Sequence, residues 1–359
     1  MSVPDLVCLS HLPWDFVYQR PNHLMARAAR ERRVFFIEEP QWSGERAFVR
    51  RTRRDELTIV RPLVPAAARG RQAYLLLQDA ISAFLEREGV VDPWLWYYTP
   101  MALMWMARVR ASAVIYDCMD ELSAFRSAPA RLRDLERQLL RGADVVFTGG
   151  RSLYEAKRAQ HAHTHLFPSS VDRAHFARAR DVLPEPADQA AISRPRIGYF
   201  GVIDERLDLE LIAHVAAARP GWQIVMVGPT AKIDEDDLPR ASNLHWLGLK
   251  EYAQLPAYLS GWDVAIMPFA LNEATRYISP TKTPEYLSGG RPVVSTPVRD
   301  VVRPYGEQGV VAIAADGPAF VRAIQAALAT DRRTLWARAD ALLAAQSWDA
   351  TWCAMRDLV

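Results

Sequence analysis

"ISPTKTPEYLSGGRPVVST", residues 278–296, sets Lys282 and Glu285 three residues apart on either side of Pro284, ahead of a short apolar run closed by Gly-Gly-Arg-Pro and a β-branched segment. Proline is poorly tolerated inside a helix but accepted in its first turn, so the spacing predicts a helix that begins near Thr281 or Thr283 as its cap, with Lys282 in the loop or the first turn. The segment therefore reads as strand, loop, helix and strand. Open N–H groups at the helix start, together with Lys282, suit a diphosphate. Glu285 faces the same side and, as a pure acceptor, can take two donor hydroxyls from a ribose. In isolation, a surface helix with an ordinary Lys/Glu pair has the same sequence.

The surrounding sequence gives the stretch its context. Upstream, "RPRIGYFG", "WQIVMVGP", "NLHWLGL" and "DVAIMPF" read as strands, and "RPVVST" as a fifth, separated by helical stretches such as "DLELIAHVAAAR". The first half repeats the grammar with "DLVCLSH", "RVFFIEEP", "LWYYTP", "AVIYDCMDE", "DVVFTGG" and "THLFPSSVD". Alternation of this kind predicts βαβ units on parallel sheets, an α/β chain. Between the halves, residues 178–195 lose periodicity and gather prolines and charges, as a linker does. The expected organisation is an N-terminal Rossmann-like domain over 1–177, a linker over 178–195, a second Rossmann-like domain over 196–330, and terminal helices over 331–359 that bridge back and carry Trp336, Trp348 and Trp352. Two doubly wound domains facing across a cleft place a ligand at the carboxyl ends of their strands.

Composition narrows the function. The chain has 359 residues, 50% of them apolar, which is core enough for two domains, and a formal net charge of +2, which gives no support for nucleic-acid binding. Cys8, Cys118 and Cys353 are scattered without metal-ligand spacing. The opening residues lack a basic, then apolar, secretory pattern, and no run approaches the roughly 20 apolar residues of a membrane span. A cytoplasmic protein is expected.

Other strand ends supply further candidates. Gly201 closes "RIGYFG" where a backbone can approach phosphate without a Cβ in the way, with Arg206 as a diphosphate cation, and Gly248 would bring backbone groups near a base. Each is also readable as an ordinary turn residue. Asp234, Asp236 and Asp237 in "KIDEDDLP" imitate a metal-binding DxD, but such acidic loops are usually solvated surface, and no metal site is assigned. In the first half, His11, Asp15, Gln19 and Arg20 gather before a helix opened by Pro21 and are expected to line the cleft. Glu38 and Glu39 end the next strand. Asp117, Asp120 and Glu121 end "VIYDCMDE", where Asp120 reads either as a helix cap or as a carboxylate base. Finally, Arg46, Arg50, Arg51, Arg53 and Arg54 lie beside Trp42 and Phe48, either a solvated loop or a face for anionic lipid.

Taken together, "SHLPWDFVYQRPNHLMARAA", "VIYDCMDELSAF", "GADVVFTGGRSLYEAKR", "LFPSSVDRAHF", "RIGYFGVIDERLDLELI", "NLHWLGLKEYAQLPAYLSGWDVAIMPF" and "PTKTPEYLSGGRPVVST" resemble glycosyltransferases of the GT-B fold, in the group that includes bacterial exopolysaccharide and teichuronic-acid type sugar transferases. The resemblance implies donor binding through "KTPEYLSGGRPVV", with Glu285 on the ribose and Lys282 near the diphosphate. Many relatives carry a second glutamate eight residues before the ribose one, where this chain has Tyr277; Glu273 is nearby but off the spacing. Relatives often read His-Asp at the end of the strand in "VIYDCMDE", and here Met119 takes the histidine's place while Asp120 is kept. That departure makes Asp120 the candidate base. The implied activity is transfer of a sugar from a nucleoside diphosphate donor, UDP-linked, to a carbohydrate, lipid-linked or other hydroxyl acceptor, without metal or bound cofactor, in surface polysaccharide or glycolipid assembly; peripheral contact with an anionic membrane is expected from the arginine cluster alone. A sugar-nucleotide epimerase or hydrolase, or a non-catalytic sensor, would use the same donor site.

Overall fold

The computed structural model describes residues 3–43, 46–54, 56–126 and 128–359. The chain divides into two compact units, Met1–Pro168 with Asp349–Val359, and Ser169–Trp348.

Unit 1 is built on β1 (Leu6–Leu9), β2 (Val34–Ile37), β3 (Gln41–Trp42), β4 (Phe48–Arg54), β5 (Leu57–Val64), β6 (Trp94–Tyr97), β7 (Ala113–Cys118), β8 (Val145–Thr148) and β9 (Thr164–Leu166). Among the described residues these form one sheet in the order β3, β5, β2, β1, β6, β7, β8, β9, with β4 antiparallel along β5. The other pairings are parallel, and β1, β2 and β8 are buried along their whole length, as strands covered on both faces are. The strand order reverses between β1 and β6. The arginine-rich stretch, readable as a solvated loop or as a face for anionic lipid, is the edge strand β4, exposed along nearly all its length. Pro62 removes a ladder donor, which disfavours a strand over 57–64, yet it lies within β5 opposite Val49. The helix Trp348–Arg356 completes this unit, with Trp352 buried against Trp96 at 5.9 Å and Asp349 paired with Arg27 and Arg30 at 2.8 Å each.

Unit 2 contains β10 (Arg196–Phe200), β11 (Gln223–Val227), β12 (Leu244–Trp246), β13 (Val264–Met267), β14 (Val293–Ser295) and β15 (Val311–Ile313). They are parallel throughout, in the order β12, β11, β10, β13, β14, β15. This doubly wound order places a topological switch point between β10 and β13. Five of the six strands are those read from the sequence; β15 is a short run with only one fully buried residue, and its periodicity is correspondingly weak.

Residues 178–195 are not a linker. Arg180 donates to Asp340 at 2.6 and 2.8 Å and to the Ser288 carbonyl, while buried Gln189 accepts from Trp262 Nε1 and donates to the Tyr258 carbonyl. Their polar side chains are spent inside unit 2, so the loss of periodicity reflects an irregular packed segment. The boundary falls at Pro168/Ser169, earlier than the expected 177, and the terminal helices divide, Arg332–Leu343 in unit 2 and nearly all of Trp348–Arg356 in unit 1.

Candidate functional site

The helix Lys282–Ser288 starts where expected, with Thr281 in the cap position and Pro284 in the first turn. Buried Tyr286 fixes it to the sheet, because its hydroxyl accepts from the Phe200 N–H at 2.9 Å and donates to the Phe200 carbonyl at 3.3 Å. Thr283 adds a contact to Met267 Sδ at 3.4 Å. The helix start is thereby registered against the last residue of β10, directly before Gly201.

Gly201 and Lys282 meet there. A Cβ on Gly201 would stand 2.6 Å from Lys282 Nζ and collide with its Cε, so the lysine stem crosses directly over the glycine. Lys282 Nζ is 5.7 Å from the centroid of the buried Tyr199 ring. Gly201 has φ +144°, a conformation open to glycine, and so has Gly228 at the end of β11, where a Cβ would strike the Gly201 carbonyl. The Gly228 N–H donates to the Gly248 carbonyl at 2.8 Å. Three glycines thus line the carboxyl edges of β10, β11 and β12. Gly228 was not singled out in the sequence, although "MVGP" repeats the strand-end glycine of "YFG".

Glu285 is 7% exposed, one turn into the same helix. Burial pushes its carboxyl up to about 7, while the charge of Lys282 pulls in the opposite direction. A nearly dry carboxyl beside an ammonium at a switch point is equipped to accept hydroxyl hydrogen bonds next to an anion.

Arg206 differs from its expectation. Its guanidinium is bidentate on buried Asp204, Nε to Oδ1 at 2.9 Å and Nη2 to Oδ2 at 2.7 Å, so most of its charge is offset within the loop. Its carbonyl accepts from the Ala270 N–H, and Asn272 Nδ2 donates to the Glu205 carbonyl, which joins the loops that follow β10 and β13. Arg206 therefore braces the loop that carries Gly201. Tyr277 lies in the loop after β13 with Arg276 over its ring, and exposed Glu273 pairs with Arg276 at 4.0 Å. Asp234, Asp236 and Asp237 form an exposed turn, with Asp234 capping it and Asp236 paired to Arg240 at 3.2 Å.

In unit 1 the expected group separates. Arg20 is 2% exposed, and its guanidinium is taken up inside unit 1: it donates to both oxygens of fully buried Asp117 at 3.0 Å and to the Phe167 carbonyl at 2.8 Å. The Gln19 N–H donates to Asn22 Oδ1 at 3.1 Å, which makes Gln19 the cap, Arg20 the first helical residue and Pro21 the second. Asp15 is exposed and pairs with Arg54 at 2.9 Å; His11 is half-buried in the loop after β1. Glu38 is structural, accepting from the Trp14 N–H at 2.9 Å and from Arg61 at 2.6 Å.

The three carboxylates at the end of β7 and just past it differ in their contacts. Asp117 belongs to Arg20, and Glu121 belongs to Lys157 at 2.7 Å. Asp120 lies between them, half-buried, with the Cys118 thiol directed at its carbonyl oxygen at 3.6 Å.

Comparison with known proteins agrees with the resemblance read from the sequence. Residues 194–330 match the family model for glycosyl transferases group 1. A Bacillus subtilis (strain 168) protein described as a teichuronic acid biosynthesis glycosyltransferase is 26% identical over 218 residues, 56% of this chain; the chain spans only 55% of that relative's length. Among solved structures, a trehalose-6-phosphate structure from E. coli bound with UDP-2-fluoro glucose superposes with TM-score 0.71 at 13% identity, covering 99% of this chain and 98% of that one. A sucrose-phosphate synthase from Thermosynechococcus elongatus gives 0.71 at 17%, with 99% and 98% covered. WaaG, a glycosyltransferase involved in lipopolysaccharide biosynthesis, gives 0.67 at 12%, with 99% of each chain covered. The fold is GT-B.

Proposed function

We propose that this chain is a glycosyltransferase that moves a sugar from a nucleoside diphosphate donor, UDP-linked, to a hydroxyl acceptor in bacterial surface polysaccharide or glycolipid assembly. The observation that carries the reading is the crossing of Lys282 over Gly201 beside Glu285 at the switch point of unit 2. The ammonium neutralises the diphosphate, the glycine edge lets the backbone approach it, and Glu285 accepts from the ribose. Because Lys282 supplies the positive charge at the leaving group, transfer proceeds without a divalent cation, and a chelator should leave the rate unchanged. The match of 194–330 to group 1 glycosyl transferases and the teichuronic acid relative support the reaction class and the polymer setting.

In unit 1, Asp120 takes the proton of the acceptor hydroxyl. Its half-buried place just past the end of β7, where the resemblance keeps an aspartate, favours it among the three carboxylates. A thermal-shift panel of UDP, GDP, ADP and TDP sugars tests the donor. A ligand at 100 times its Kd adds about 2.7 kcal/mol, and no stabilisation by any member would sink the reading. Asp120→Asn should lower turnover by roughly 10²- to 10⁴-fold without moving nucleotide affinity.

Contact with an anionic membrane is part of the proposal. It is supported by Trp42 and Phe48, 50% and 46% exposed, beside the arginines of β4, and by an open groove of about 680 Å³ whose lining includes Arg46, Ala47, Pro65 and Leu76. Arg51, Arg53 and Arg54 also pair with Glu88, Glu56 and Asp15. Cosedimentation with phosphatidylglycerol vesicles at low salt, lost at high salt, is the expected result.

A further inference from the structure

The backbone that carries Asp120 is held on both sides by groups that the proposed chemistry does not use. On one side Gly149, just past β8, donates its N–H to the Cys118 carbonyl at 2.8 Å. It lies so close to Met119 that a Cβ there would stand 2.9 Å from both the Cα and the carbonyl oxygen of Met119. On the other side is Lys157, 4% exposed at the end of the helix Arg151–Lys157. Its ammonium binds Glu121 at 2.7 Å and both oxygens of Glu136 at 2.8 Å. Glu136 also accepts from the Tyr116 hydroxyl at 2.8 Å and lies 4.0 Å from the Cys118 thiol, which in turn is directed at the Asp120 carbonyl. The contacts form a circuit from Lys157 through Glu136 and Cys118 to Asp120, and back through Glu121.

One ammonium shared by two carboxylates in a largely dry place is a poor source of stability, since desolvation offsets most of the attraction. Joining the helices Leu132–Gly142 and Arg151–Lys157 to the sheet needs no charge, because Leu139, Leu140 and Leu153 are already buried there. What the charged group adds is direction, and its contacts converge on residues 116–121. We infer that Lys157 and Gly149 are positioning residues for Asp120, Lys157 through Glu121 and the Glu136–Cys118 pair, and Gly149 by direct packing on Met119. The inference rests on the reading of Asp120 as the base.

The test is the ¹³C carboxyl titration of Asp120 in the full chain, assigned with Asp120→Asn and followed in wild type, Gly149→Ala, Lys157→Met and Lys157→Arg. Moving a carboxylate relative to fixed charges changes its titration, but Lys157→Met also removes a charge and displaces the midpoint by that alone, so Gly149→Ala, which changes no charge, is the deciding variant. Expected are midpoints displaced by about half a pH unit or more in Gly149→Ala and Lys157→Met, partial restoration in Lys157→Arg, and no change for Glu285 in unit 2. Should Lys157→Met fail to fold, Gly149→Ala and Lys157→Arg decide: a displaced Gly149→Ala midpoint supports positioning. A wild-type midpoint in Gly149→Ala overturns it, whatever Lys157→Met shows. Failure of the underlying reading shows separately, as Asp120→Asn turning over at the wild-type rate while the midpoints in the other variants are displaced.

Discussion

Glu285 is held where its ionised form is costly and, by the proposed function, needed. Its carboxyl titrates near 7 because burial outweighs Lys282, well above an unfolded glutamate. The folded chain thus holds a proton that the unfolded chain has released between about pH 4.5 and 7. The associated stability is fully present below the unfolded value and is lost as pH rises through 7. Glu285→Gln should accordingly melt above wild type at pH 8 and level with it at pH 5; the same difference at both values would show that ionisation of a buried Glu285 is not what costs stability. Donor binding runs the other way. In the proposed site ribose hydroxyls donate to the carboxylate, so UDP affinity should be about tenfold weaker at pH 6 than at pH 8, and calorimetry on Glu285→Gln should show that slope removed.

At the scale of elements, the helix Lys282–Ser288 is aligned by Tyr286, whose hydroxyl satisfies both backbone groups of Phe200. Tyr286→Phe leaves a buried N–H and carbonyl to share what remains, at a cost of about 1–3 kcal/mol. UDP affinity should fall with stability, because Lys282 loses its register over Gly201; full affinity in a destabilised Tyr286→Phe would show that the helix start is placed by other contacts. This register explains what could be read in advance. Lys282, Pro284 and Glu285 lie within four residues, and local rules of capping and proline placement suffice to assemble them. Gly201 also follows from a local rule, a glycine at a strand end. Arg20 and Arg206 look like ligand cations because sequence shows a charge without its partner: Asp117 is 97 residues from Arg20, and Asp204, though only two residues from Arg206, is oriented by a turn that spacing does not specify. The same limit hid Lys157, whose carboxylates are 21 and 36 residues away and meet it only once β7 and β8 are paired.

For the whole molecule, the chain forms two compact units and enters unit 1 a second time at Asp349, and the proposed function gives the two units separate duties. The last helix buries Trp352 at 2% exposure beside Trp96, with Arg32 between it and Trp94 at 5.9 and 3.9 Å from the two ring centroids. Its Asp349 and Arg356 pair with Arg27, Arg30 and Glu31 around the first helix of the chain. Arg20, at the start of that helix, reaches Met355 Sδ at 3.8 Å while holding Asp117. The terminal segment is therefore part of the packing around Asp117 near the end of β7, three residues from Asp120 in sequence. Trp352→Ala opens a large cavity and should cost unit 1 about 3–5 kcal/mol. The groups proposed to bind the donor, Gly201, Gly228, Lys282 and Glu285, all belong to unit 2. Hydrogen exchange should thus quicken at the amides of β1, β6 and β7 in Trp352→Ala and stay at wild-type rates in β10 and β13. Calorimetric UDP affinity should hold within about twofold while turnover falls. Equal loss of protection in both sheets, or loss of UDP binding, would show that the units do not divide stability and donor binding in this way.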